Sequence, residues 1–212
     1  MNRLRIINLG LPKTGTTTLT DALRQAGLTV ADWKIRRGQS KRNDIIGEHV
    51  GKIIYADYFD SGDPLARLDE FDMINEMSAV RHDRSLWPQT DWGLLAAIQD
   101  HHPNVKFLMT YRDPAKAANS MMRWNNLGKR RLPMADIPGL PRRFGASEDE
   151  LARWLEGHFK FCRRVFQGCD NFLEYDIEDA DAQGKIAGYL GIDLPWWGQS
   201  NVGRPADAEK VT

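Results

Sequence analysis

Apolar residues along this chain switch repeatedly between two spacings. Compact apolar runs at 4–10, 71–75, 105–111 and 171–175 alternate with stretches in which apolar residues recur every three or four positions. The first spacing predicts buried strands and the second amphipathic helices. A further short strand is expected at 28–33. Helices are predicted over 15–26, with Leu19, Ala22, Leu23 and Ala26 on one face, and from Asn43 or Asp44, with Ile46, Val50, Ile53 and Ile54 aligned. Asp91 opens another with Leu94, Leu95 and Ile98, and Asp113-Pro114 opens one carrying Ala117, Ala118, Met121 and Met122. Ser147 and Glu150 form a capping box before Leu151, Trp154, Leu155, His158, Phe159, Cys162 and Phe166. A last helix ends at Leu190. Gly27 and Gly168 act as stop signals, and 34–42, 80–90, 129–145 and the tail 191–212 read as loop or irregular. Strands alternating with helices predict an α/β class, a three-layer α/β/α arrangement around a central, mainly parallel sheet. The chain is expected to form a single domain over 1–212.

Charge changes this picture little. The 29 Lys and Arg balance 29 Asp and Glu, which argues against general nucleic-acid binding. Two basic clusters stand out locally: Lys34, Arg36, Arg37, Lys41 and Arg42, and Lys129, Arg130, Arg131, Arg142 and Arg143. They read either as solvated loops or as the lining of a cleft. Cys162 and Cys169, the two cysteines, have no metal-ligand companions and read as reduced thiols. No signal peptide or membrane-length apolar run is evident, so a cytoplasmic protein is expected.

The candidate chemistry begins at Leu9-Gly10-Leu11-Pro12-Lys13-Thr14-Gly15-Thr16-Thr17-Thr18, between the first strand and the first helix. A glycine turn at a helix start presents backbone N–H groups to an anion; the threonines add hydroxyls and Lys13 a mobile charge. Against the nucleotide-triphosphate pattern G-x-x-x-x-G-K-[ST], Gly10, Gly15 and Thr17 fit, but Thr16 stands at the lysine position. No acidic residue follows an apolar strand as a magnesium ligand would. The loop therefore suits a nucleotide with a different distal group, handled without a metal. Lys13, Glu76 and Arg112 each follow a predicted strand, which places them on one edge of a parallel sheet, where ligands bind.

These residues resemble a known family. Pro12-Lys13-Thr14-Gly15-Thr16-Thr17 is similar to the P-K-[ST]-G-T-T loop of sulfotransferases, and Arg112-Asp113-Pro114 with Ser120 resembles their second signature, an arginine at a strand end with a serine eight residues later. The resemblance implies a P-loop NTPase-like fold and 3′-phosphoadenosine 5′-phosphosulfate as co-substrate, leaving adenosine 3′,5′-bisphosphate as product. It implies that Pro12, Lys13, Thr14, Gly15, Thr16, Thr17 and Thr18 bind the co-substrate, with Gly15, Thr16, Thr17 and Thr18 holding the 5′-phosphate, that Arg112 and Ser120 hold the 3′-phosphate, and that Arg204 substitutes for the arginine loop closing over it in the cytosolic branch. Thr18 replaces that branch's tryptophan. Glu76-Met77-Ser78-Ala79 resembles instead the E-K-[ST]-[AP] segment of the carbohydrate branch, with Met77 for the lysine.

Transfer of a sulfuryl group needs in-line placement, removal of the acceptor's proton and neutralisation of the leaving phosphate. The resemblance gives the last task to Lys13. Glu76 is the expected general base, with salt-bridged or capping glutamate as the plainer reading; His49 and His82 are the rivals. His101, His102 and His158 read as helix-end or core residues. The acceptor is expected to be a small molecule, lipid or carbohydrate. The competing readings are a P-loop kinase or NTPase with an atypical loop and a non-catalytic nucleotide-binding protein of the same fold.

Overall fold

The computed structural model describes residues 3–81, 83–198 and 200. In chain order the elements are β1 (Ile6–Asn8), α1 (Thr16–Gln25), β2 (Val30–Ala31), α2 (Val50–Ser61), β3 (Met73–Ile74), β4 (Ala79–Arg81), β5 (Arg84–Leu86), α3 (Trp92–His101), β6 (Lys106–Tyr111), α4 (Pro114–Arg123), α5 (Glu148–Val165), β7 (Phe172–Asp176) and α6 (Ala182–Leu190). Five strands form a parallel sheet in the order β2-β3-β1-β6-β7, with Ile7 opposite both Ile74 and Phe107.

Alternation along these strands divides the core in two, because successive strand side chains point to opposite faces. Ile6, Val30, Met73, Leu108 and Tyr175 meet Leu19, Ala22 and Leu23 of α1 and Ile186 and Leu190 of α6. Ile7, Ala31, Ile74, Phe107 and Met109 face the other way, onto α2, α3, α4 and α5. The three-layer α/β expectation holds. Burying each large aliphatic or aromatic side chain contributes about 1.5–3 kcal/mol. Among the described residues no helix is long and apolar enough to cross a membrane.

Helix starts follow their capping residues. The Asp91 carboxylate accepts from the amides of Gly93 and Leu94, Asp113 accepts from Lys116, and Ser147 with Glu150 forms the reciprocal box on α5. Three sequence expectations need correction. Residues 43–45 form one 3-10 turn, and α2 starts only at Val50, because the chain turns extended at Ile46, with ψ 127°, and left-handed at Gly47, with φ +87°. Residues 80–90 are not loop throughout. The hairpin β4–β5 pairs Ala79 with Leu86 and Arg81 with Arg84, and a 3-10 turn follows at Pro88–Thr90. Its polar residues mask a short pairing that buries Ala79 and Val80, with Trp87 buried just after it. The 129–145 segment begins within a π-helical turn, Leu127–Arg131, and then sinks Leu132, Ala135, Ile137 and Leu140 into the larger core. Its prolines make it irregular, but its apolar residues make it packed.

Candidate active site

Five strand ends meet on the carboxyl edge of the sheet. In spatial order they lead into Asp32-Trp33, Asn75-Glu76, the Leu9–Thr18 loop, Arg112, and Ile177-Glu178. Lys13, Glu76 and Arg112 thus share one edge. The loop lies between the other two.

The loop is shaped by close approach. A Cβ on Gly10 would stand 2.5 Å from Thr110 Oγ1, and one on Gly15 would stand 2.5 Å from Ile177 Cγ1. Gly15 also holds φ +114° at the N-cap of α1, a conformation that side chains resist. Lys13 adopts φ +71° without that excuse; left-handed backbone costs a non-glycine residue roughly 1–2 kcal/mol. Thr14 closes the turn, its amide and hydroxyl both donating to the Leu11 carbonyl at 3.3 and 2.7 Å. The Thr14 side chain is fully buried, so it shapes the loop from within. No side chain caps α1, which leaves its positive end directed at the loop.

A buried amide network supports the loop from below. Asn8 Nδ2 donates to Asn75 Oδ1 at 2.7 Å, and Asn8 Oδ1 accepts from Gly10 N at 3.0 Å and from Thr110 Oγ1 at 2.8 Å. Asn75 Nδ2 in turn donates to the Thr16 carbonyl at 2.7 Å and to Thr20 Oγ1. From the other face His158 Nε2 donates to the Leu9 carbonyl at 2.7 Å; burial pushes its pKa down to about 4, so the ring is neutral. The core reading of His158 is correct, and it fixes the end of β1. Asn8, Asn75, Thr20 and Thr110 were not singled out from sequence. A readable signal existed for two of them: an asparagine inside the apolar run 4–10 and another at the end of 71–75.

Above the loop, partners are fewer. Lys13 Nζ lies 3.6 Å from the centre of the Trp124 ring and has no carboxylate partner among the described residues. Burial, then the charges of Arg112 and Arg123, lower its pKa. Arg112 Nη1 donates to the Lys13 carbonyl at 3.4 Å, tying the two predicted motifs together. Its buried Nε has no hydrogen-bond partner; the nearest carboxylate oxygen, Glu178 Oε1, is 3.6 Å away. Ser120 sits on α4, two turns beyond Arg112, with no side-chain hydrogen bond among the described residues. Thr18 Oγ1 accepts from the Ser200 amide at 3.3 Å, so the chain beyond α6 returns to the start of α1. Pro12 and Thr17 lie in the loop and the first turn as expected.

Glu76 faces the loop from the β3 side. Its Oε2 accepts from Thr16 Oγ1 at 3.5 Å and its Oε1 accepts from Ser78 Oγ. Burial raises its pKa to about 7, helped by the charge of Asp32 and opposed by the Ser78 hydrogen bond. A carboxyl poised near neutrality can take a proton from a hydroxyl and release it again. His49 is not on a helix face but at the N-cap of α2, packed 5.5 Å from Trp33. His82 and Arg204 lie outside the described residues. Among the described residues no group of three or more His, Cys, Asp or Glu could hold a metal ion.

Residues 5–201 match the model of a family described as the sulfotransferase domain. No curated protein matches the chain. Among solved structures, the sulfotransferase domain from the Synechococcus PCC 7002 olefin synthase aligns with 95% of this chain and 80% of its own, at 16% identity and a TM-score of 0.47.

Proposed function

The chain belongs to the sulfotransferase domain family and is a sulfotransferase; from that premise we propose that it takes the sulfuryl group from 3′-phosphoadenosine 5′-phosphosulfate and passes it in line to a hydroxyl or amine of a small-molecule, lipid or carbohydrate acceptor. The observation that carries this reading is a set of incompletely partnered donors on one edge: Lys13 without a carboxylate, Arg112 with a buried Nε that makes no hydrogen bond, and an uncapped α1. Buried polar groups normally find partners, so such a set fits a doubly anionic ligand. Family membership decides against the kinase or NTPase reading.

In this proposal the loop amides and the hydroxyls of Thr16 and Thr17 hold the 5′-phosphate, and Arg112 with Ser120 holds the 3′-phosphate. Glu76 takes the proton of the acceptor as its oxygen or nitrogen bonds to sulfur. The bond from sulfur to the leaving phosphate oxygen breaks, and Lys13 neutralises the charge growing there. Thr16 spans the two halves, since its hydroxyl meets Glu76 while its carbonyl is held by Asn75.

Thermal stabilisation tests the donor. A ligand that binds only the folded state raises the melting temperature, so adenosine 3′,5′-bisphosphate should do so and ATP with magnesium should not. The reverse result would remove the assigned co-substrate.

A further inference from the structure

On the Glu76 side of the loop, a cavity of about 510 Å³ opens at the start of α2, lined by Glu48, His49, Lys52, Arg81, Asp83 and Arg84 among others. Its carboxylates are engaged: Glu48 pairs with Lys52 at 2.8 Å and Asp83 with Arg84 at 2.7 Å. Arg81 has no carboxylate partner among the described residues. It lies over one side of the Trp33 ring at 5.6 Å, with Arg36 at 5.7 Å, and His49 packs on the same ring. Lys34 bridges to His49 through the backbone. His49 Nε2 is buried without a hydrogen-bond partner. Positive charge is therefore in excess here: burial, then Arg81, Lys34 and Arg84, depress the pKa of His49 against the opposing charge of Glu48, and burial, then Arg81, depress that of Arg131.

Sheet order says which ligand meets this cavity. Arg112 and Ser120 follow β6, on one side of the Lys13 loop, whereas Trp33 follows β2 and Glu76 follows β3, on the other. The hairpin carrying Arg81 and Arg84 begins three residues after Glu76, and Arg131 Nη2 fastens it by donating to the Val80 carbonyl at 2.7 Å. A nucleotide lying across the loop toward Arg112 leaves the Trp33 side to the acceptor.

We propose that the acceptor carries an anionic oxyacid group, a carboxylate, phosphate ester or sulfate ester, which binds in the cavity between Arg81 and His49, beside the Trp33 ring on which both pack, while its hydroxyl or amine reaches Glu76. This rests on the sulfotransferase reading of the Glu76 edge. The cavity supplies the Arg81 charge for the anion, the His49 ring in its wall, and the N-terminus of α2, which no side chain caps, behind it. Neutral acceptors gain nothing from this arrangement.

The test reads the indole N–H resonance of Trp33, assigned by its loss in Trp33→Phe, as phenyl phosphate, phenyl sulfate, phenylacetate and neutral 2-phenylethanol are titrated with adenosine 3′,5′-bisphosphate saturating the loop. The anionic compounds should shift the resonance and saturate, 2-phenylethanol should not, and the ranking of the three anions identifies the oxyacid. Arg81→Gln, at an exposed position on the hairpin, should weaken the anions about tenfold or more, and Arg81→Lys should restore part of the loss. An unmoved resonance, equal binding by 2-phenylethanol, or unchanged affinity in Arg81→Gln overturns the proposal. Competition between the anions and the bisphosphate also overturns it, because the cavity would then belong to the nucleotide. Failure of the bisphosphate to bind at all is read separately, from the melting temperature, and counts against the donor assignment.

Discussion

The two faces of the Leu9–Thr18 loop meet opposite chemistry. Below it, Asn8, Asn75, Thr20 and Thr110 are buried and satisfy one another and the backbone. Above it, Lys13 rests on an aromatic ring, Arg112 Nε lacks a hydrogen-bond acceptor and α1 lacks a cap. A satisfied network rigidifies, whereas an unsatisfied one is a standing cost unless a ligand removes it. The lower face reads as scaffold and the upper as the proposed binding surface. Substitutions on the two faces should therefore fail differently, with stability lost below and chemistry lost above.

The largest effect is expected at Lys13. Lys13→Ala should reduce turnover by roughly three orders of magnitude, comparable to removing a principal charge-stabilising group, while the melting temperature without ligand stays within a degree or two. A variant that unfolds instead would place Lys13 in the scaffold. Glu76→Gln should lower kcat by about 10²–10⁴-fold, the range for general bases, and leave the bisphosphate affinity nearly unchanged. In the wild type, kcat should rise with pH through about 7 as the carboxyl ionises, and that limb should vanish in the variant.

The same carboxyl separates activity from stability. Its folded-state pKa is raised above the unfolded value, so the native state binds the extra proton between those values. Stability then falls as pH rises from about 4.5 to about 7. Glu76→Gln should consequently be more stable than the wild type at pH 8, by about 1–3 kcal/mol, and nearly equal to it at pH 4. Equal melting temperatures at both pH values would show that Glu76 carries no such burden.

Smaller effects sharpen the contrast. Asn75→Ala should cost about 1–3 kcal/mol in denaturant unfolding, because it orphans Asn8 and the Thr16 carbonyl. Arg112→Ala should weaken the 3′,5′-bisphosphate by about ten- to a hundredfold in calorimetry, as loss of hydrogen bonds to a charged group does. It should weaken adenosine 5′-phosphate, which has no 3′-phosphate, much less. If both nucleotides suffer equally, Arg112 acts through the Lys13 carbonyl it holds rather than through the nucleotide.

Much of this was legible in the chain. The apolar runs located the sheet, and capping residues at Asp91, Asp113 and Ser147 set three helix starts. The upper face of the loop, the proposed anion site, carries a local signature in the chain, glycine beside lysine and threonine. The lower face carries none, because its network joins Asn8 to Asn75 and Thr110, residues far apart in sequence whose pairing exists only once β3 and β6 flank β1. The hairpin at 79–86 escaped for a related reason: its strands are three residues each, too short for alternation to stand out among charged neighbours. The contact of Trp124 with Lys13 had no local signal either, since it joins the end of α4 to a loop about a hundred residues earlier.

That contact also makes the site optically active. An ammonium 3.6 Å above an indole perturbs its excited state, and an arriving dianion offers Lys13 a stronger attraction than the ring does. As the side chain leaves, the emission of Trp124 should change in step with occupancy. On the proposed function, this emission change would report donor loading, and Trp124→Phe would silence it.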